Sequence, residues 1–347
     1  MNPINITIFQ ALLHTNEYKF LKEDPRLNDN IILLALGGSH AYGTNVEGSD
    51  VDVRGCALNS KEEILLGRDF EQVINNPTDT TIYSFKKLVG LLTACNPNCI
   101  EILGCKPEHY LHISPVGQEL IDNAHLFLSQ RAFHSFGGYA TAQLRRLENK
   151  VIRDQEQEKR EQHILNSIKN AKHSFSDKYF LNDESAIELY IDEAIQEGYT
   201  TEIFMNLTLE KYPLRDYAGM LAEMQEIIKS YSKIGKRNER AFTRGQLGKH
   251  QMHLVRLYLM CIDILTKEKI VTYREEEHKL LMDIRFGKYL TDGDKPTDEF
   301  MMMVDDYEKE LEYAKNHTSL PLQPEIKKID EFVINVHERI IKGKLNI

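Results

Sequence analysis

One stretch constrains this chain more than any other: IILLALGGSHAYGTNVEGSDVDVRGCAL, residues 31–58. Ile31 to Leu36 is a run of six apolar residues, the length of a buried strand, and Gly37-Gly38-Ser39 ends it. Ten residues, rich in glycine and polar types, then separate Ser39 from Asp50. Val51 to Leu58 resumes with β-branched residues in an imperfect alternation, which predicts a second strand. Period-two geometry puts Asp50 and Asp52 on one face at the start of that strand. Two such carboxylates, with no basic residue between them, repel unless a cation sits there. Hard oxygen ligands suit Mg²⁺, with Mn²⁺ as the alternative. Gly37 and Gly38 let the backbone approach a phosphate, and Ser39 offers a hydroxyl and an N–H. Ser49, beside Asp50, joins them as a nucleotide-binding candidate. A metal site next to a phosphate cradle is equipment for in-line displacement at phosphorus. Alone, an Asp-x-Asp is usually a solvated strand end and a Gly-Gly-Ser only a turn. The ordered combination carries the reading.

The rest of the chain divides in two. Thr80 to Phe85 reads as a third strand, running into an apolar helix over about residues 86–94. Ser114-Pro115 carries the cap and first-turn proline of a helix. Beyond it the pattern is mostly helical, over residues 128–150, 148–172, 214–234, 246–267 and 300–317, with a last helix opened by Pro324 and running to about Lys342. Residues 202–209 read as an extra strand. The expected fold class is α/β (α+β), a mixed sheet within residues 1–125 and a mostly helical domain over 126–347, the boundary lying between about 112 and 130.

With 41 % hydrophobic and 28 % charged residues, the 347-residue composition is that of a soluble globular protein. No apolar run approaches the roughly 18 residues of a membrane span. The first twenty residues lack the features of a secretory signal, and the five cysteines are odd in number and scattered, so reduced thiols in the cytoplasm are expected. The spacing Cys95-x3-Cys99-x5-Cys105 is not that of a zinc finger or ribbon. Met301 to Met303 reads as core packing. The net charge of −10 removes any global attraction to nucleic acid, so a polyanion must meet a local patch.

The pattern Gly-Ser, ten residues, Asp-x-Asp resembles the signature of the polymerase β-like nucleotidyltransferases. The longer string GSHAYGTNVEGSDVDVRG resembles one branch of them, the RNA-repair-associated nucleotidyltransferases. Residues 96–104, 135–150 and 249–260 look like that branch's other, less specific segments. The resemblance implies a mixed-sheet catalytic domain followed by helices. It also implies two-metal chemistry and transfer of a nucleoside monophosphate, from ATP or another triphosphate, with release of pyrophosphate. Tyr42 stands where many minimal relatives carry arginine, so the triphosphate's positive partner must come from elsewhere. Such enzymes use a third carboxylate on a neighbouring strand. Asp79, leading into the third strand, is the first choice, and Glu101, after Asn96-Pro97, is the alternative.

Residues 233–250 hold six Lys or Arg against one acid, Glu239. Lys249 and Arg256 are expected to reach the triphosphate from the helical half, with His253 on roughly the same face read as a packed core residue. Arg237, Arg240 and Arg244 are expected to guide an RNA acceptor. Arg145-Arg146 is a lesser phosphate candidate. The rival readings are a nucleotide-sensing or antitoxin-like module without turnover, a protein or small-molecule acceptor, and a Mg²⁺-dependent phosphohydrolase.

Overall fold

The computed structural model describes residues 6–140, 144, 187–193, 201–222, 224–225, 244–292 and 295–344. The chain divides into two compact units, residues 1–143 with 244–347, and residues 144–243. The boundary expected between residues 125 and 126 falls inside the first unit, within the short 3-10 turn Ala124–Phe127.

The first unit is built on a five-stranded mixed sheet of β1 (Ile31–Leu36), β2 (Val53–Ala57), β3 (Gln72–Asn75), β4 (Thr80–Ser84) and β5 (Tyr110–Ile113), in the order β3-β4-β2-β1-β5. Only β2 and β4 run parallel; the other neighbours are antiparallel. All six residues of β1 are buried, as its uninterrupted apolar run requires of a strand covered on both faces. Truncating one such side chain to alanine would cost about 2–5 kcal/mol. β2 is shorter than expected because residues 50–52 precede the ladder; there the Gly37 amide donates to the Asp52 carbonyl (2.8 Å) and the Val53 amide to the Asp79 carbonyl (3.2 Å). β3 and β5, four residues each, were not expected.

The glycine-rich stretch after β1 is not all loop: it opens with the short helix α1 (Gly38–Tyr42), closed by Gly43 in the left-handed region. The helix α2 (Phe85–Thr93) starts where the third strand ends, because the Ser84 hydroxyl accepts from the Lys87 amide. In the same way Ser114 caps α3 (Pro115–Asp122). Residues 131–140 are helical, whereas most of the predicted helices over 141–150 and 148–172 lies outside the described residues. Four helices follow in this unit: α4 (Arg244–Lys267), α5 (His278–Arg285), α6 (Asp298–His317) and α7 (Ile326–Ile341). Of these only α5 was not expected. In α6, Met302 is 67 % exposed, so it does not serve the core packing predicted for residues 301–303. The second unit contains the antiparallel pair β6 (Ile187–Glu193) and β7 (Thr201–Leu207), the latter close to the predicted extra strand, and helical residues at 214–222. Among the described residues no helix is long and apolar enough to cross a membrane.

Candidate active site

The turn from β1 into α1 and the start of β2 form one structural joint. Gly38 has φ +52°, and a Cβ on it would lie 1.9 Å from Asp52 Oδ2. Backbone and space therefore both demand glycine: the Asp52 carboxylate fills the place a side chain would take. Asp52 is 19 % exposed in its side chain. Its pKa is pushed up to about 6, first by burial and then by a hydrogen bond shared with the Asp79 carboxyl, while Arg54 pulls it down. Burial lowers the pKa of the buried His40 of α1, opposed by the nearby Asp50 backbone.

Arg54 corrects the expectation of an uncompensated acid pair. Its Nη2 lies 3.2 Å from both Asp52 Oδ1 and Asp79 Oδ1, and its Nη1 donates to the Asp79 carbonyl at 2.6 Å. Arg54 is two residues past Asp52, so the same period-two spacing that paired the aspartates would have flagged it. Asp79 reaches this place because β2 and β4 pair in parallel with Val53 opposite Thr80. It has φ +42° and a side chain 57 % exposed.

Glu101 is differently placed. The Tyr42 hydroxyl donates to Glu101 Oε2 at 2.6 Å, and Arg256 Nη2 lies 4.0 Å from the same oxygen. The Arg256 guanidinium also sits 3.1 Å over the Tyr42 ring centroid. Burial raises the Glu101 pKa, opposed by Arg256 and Tyr42. A positive group thus arrives from α4 and rests on the Tyr42 ring.

These elements enclose a cavity of about 200 Å³. Ser39, Ser49, Asp50 and Asp52 line it from the sheet side, and Lys249 and Arg256 from α4. All six come from the sequence reading; Gly37 and Gly38 form the turn beside them. Asp79 and Glu101 do not line the cavity. Two lining residues depart from expectation. His253 was read as core, yet it lines the cavity with its ring edge-on to Tyr139, 5.9 Å between centroids. Arg285, at the end of α5, had no local signal: a single arginine on a short helix is ordinary. Arg145, Arg146, Arg237 and Arg240 lie outside the described residues, as does the side chain of Arg244.

Among the described residues no three His, Cys, Asp or Glu side chains converge as a ready metal cluster. The donor set still fits Mg²⁺: Asp50 and Asp52 both face the cavity, and Mg²⁺ is commonly held by one or two carboxylates, with water and substrate phosphates completing its shell.

Comparison with curated proteins and with solved structures gives no match. A family model does match over residues 12–173, the span that carries the sheet, the Gly37 to Ser39 turn, Asp50, Asp52, Asp79 and Glu101. Lys249, Arg256 and Arg285 lie beyond that span. Over this sheet-bearing part the chain is similar to the RNA repair pathway DNA polymerase beta family, which is consistent with a polymerase β-like nucleotidyltransferase.

Proposed function

We propose that this protein transfers a nucleoside monophosphate from a nucleoside triphosphate to an acceptor hydroxyl, an RNA end, with release of pyrophosphate. The observation that carries the proposal is the cavity with opposed walls: Asp50 and Asp52 on one side, Lys249 and Arg256 on the other. At about 200 Å³ it is smaller than the ~300–1,000 Å³ of sites that enclose a whole drug-sized ligand. It suits a phosphate chain, with sugar and base outside.

In this reading Asp50 and Asp52 hold Mg²⁺. Bound there, the metal supplies Lewis-acid stabilisation of phosphoryl oxygens and activation of the attacking hydroxyl. Ser39, the Gly38 backbone and Ser49 orient the phosphates, while Lys249 and Arg256 offset their charge. Asp79, ion-paired with Arg54 beside Asp52 and open to solvent, takes the acceptor's proton in this reading. Glu101 and Tyr42 position Arg256. The five free cysteines are compatible with a cytoplasmic protein.

RNA is the favoured acceptor because residues 233–250 carry six basic groups, more than one triphosphate needs. Incubation with each α-³²P-labelled NTP and a panel of RNAs tests the whole proposal. Label in RNA with pyrophosphate released is the expected result. Phosphate release without label would reassign the protein as a phosphohydrolase, and binding without turnover as a sensing module. Replacing Arg237, Arg240 and Arg244 together with glutamine should flatten the salt dependence of RNA binding, by about 0.7 in slope per lost phosphate contact. If the slope is unaltered, or the wild type binds no RNA at low salt, a protein or small-molecule acceptor takes its place.

A further inference from the structure

Among the described residues of the first unit three arginines are buried: Arg256, Arg274 and Arg285. Arg256 has Glu101 and Arg274 has Asp263. Among the described residues Arg285 pairs with no carboxylate: its Nη1 donates to the Thr44 carbonyl at 2.6 Å, and its Nη2 to Ser49 Oγ at 3.4 Å. A buried guanidinium without a counter-charge is strongly disfavoured. The influences on Arg285 act the same way, since burial and the nearby Arg256 both lower its pKa. It nevertheless lines the cavity, with the exposed Lys249 on the wall beside it.

The two ends of the fork are unequal. The Thr44 bond is short and anchors Nη1, whereas the Ser49 bond is longer than the usual 2.7–3.2 Å for N–H···O. The anchor is itself fixed. His278 of α5 hydrogen-bonds the Gly43 carbonyl (2.9 Å), and the Tyr273 ring fills the space beside Gly43, 2.3 Å from where a Cβ would stand. Residues 273–285 therefore hold the loop after α1 and present the guanidinium in one orientation.

We infer that Arg285 is a phosphate-binding residue of this cavity, gripping the outer phosphates of the nucleotide with Lys249 and so selecting triphosphates over shorter phosphate chains. The inference rests on reading the cavity as the phosphate site. The charge it lacks in the protein is the charge the ligand brings, and a planar fork matches phosphate oxygens. Lysine is no substitute, because one ammonium does not hold the Thr44 carbonyl and a phosphate in the same fixed geometry.

Calorimetric titration of the full chain with inorganic tripolyphosphate, pyrophosphate and phosphate, in Mg²⁺ and without nucleoside, tests it. Wild type should bind tripolyphosphate most tightly. Arg285→Met should weaken that binding at least tenfold and Arg285→Lys several-fold. Lys288→Gln, which removes an exposed cation three residues on, should leave it unchanged. Circular dichroism identifies the folded variants; should the methionine variant not fold, the lysine variant decides. Unchanged tripolyphosphate affinity in a folded Arg285 variant overturns the inference. If Lys249→Met weakens binding in that case, the phosphate reading of the cavity survives without Arg285. If wild type binds no tripolyphosphate, both fall.

Discussion

The two walls of the cavity are assembled in opposite ways. The acidic wall comes from residues two apart at the head of one strand, where covalent spacing alone puts Asp50 and Asp52 together. The basic wall comes from α4 and α5, where Lys249, Arg256 and Arg285 meet only through helix packing. They share an electrostatic condition. Asp52 is held with its pKa raised and Arg285 with its pKa lowered, so burial disfavours the charged form on both sides. Arg54 offsets Asp52 only in part, and Arg285 has no carboxylate partner among the described residues, so a metal-bound phosphate chain would bring charge that both walls can use. A site of this kind gives up some stability for pre-organised charge, as functional sites commonly do.

The comparison is broken most severely at the carboxylates that flank it. Asp79→Asn should slow transfer by about 10²–10⁴-fold with little change in nucleotide affinity, as for a group acting in the transition state. Glu101→Gln should act instead on nucleotide affinity, because it loosens Arg256. Single-turnover rates with a nucleotide titration separate the two. If Glu101→Gln gives the rate phenotype and Asp79→Asn does not, the third carboxylate is Glu101.

A smaller effect isolates the cost of the acidic wall. The raised pKa of Asp52 means that the folded protein binds its proton more tightly than the unfolded chain does. Stability from this group is therefore present below about pH 4 and lost as pH rises to about 6. In EDTA, Asp52→Asn should be more stable than wild type above pH 6, by about 3 kcal/mol at most, and the two should converge near pH 4. Denaturant unfolding across that range checks it. Parallel wild-type and variant profiles would mean that Asp52 is not strained by burial.

What could be read from the sequence follows the same division. β1 spans the six residues its apolar run predicts, and α3 begins at its serine cap, because these signals are local; Ser84, read as part of a strand, proves to be the cap of α2. β3 and β5 are too short for a period to register. The Gly37-Gly38 turn was legible as the end of β1, but not the second reason for glycine at 38: the Asp52 carboxylate that fills the missing Cβ position belongs to a residue fourteen further on. Arg54 was within reach of the strand period. Arg285 was not, since nothing near it in the chain says that α5 returns to the loop after α1. Lys249 was visible because it closes the basic run of residues 233–250, and Arg256 because it shares roughly one helical face with it.

The central claim is that Asp50 and Asp52 are a metal pair for nucleotidyl transfer. The most direct test is single-turnover transfer from an α-³²P-labelled NTP by Asp50→Ala and Asp52→Ala, with Mn²⁺ binding followed by electron paramagnetic resonance on the same samples. Both variants should keep the wild-type circular dichroism spectrum, lose tight Mn²⁺ binding, and fall at least ~10³-fold in transfer, the scale of losing a principal electrostatic group in the transition state. Wild-type transfer by either folded variant would contradict the assignment outright.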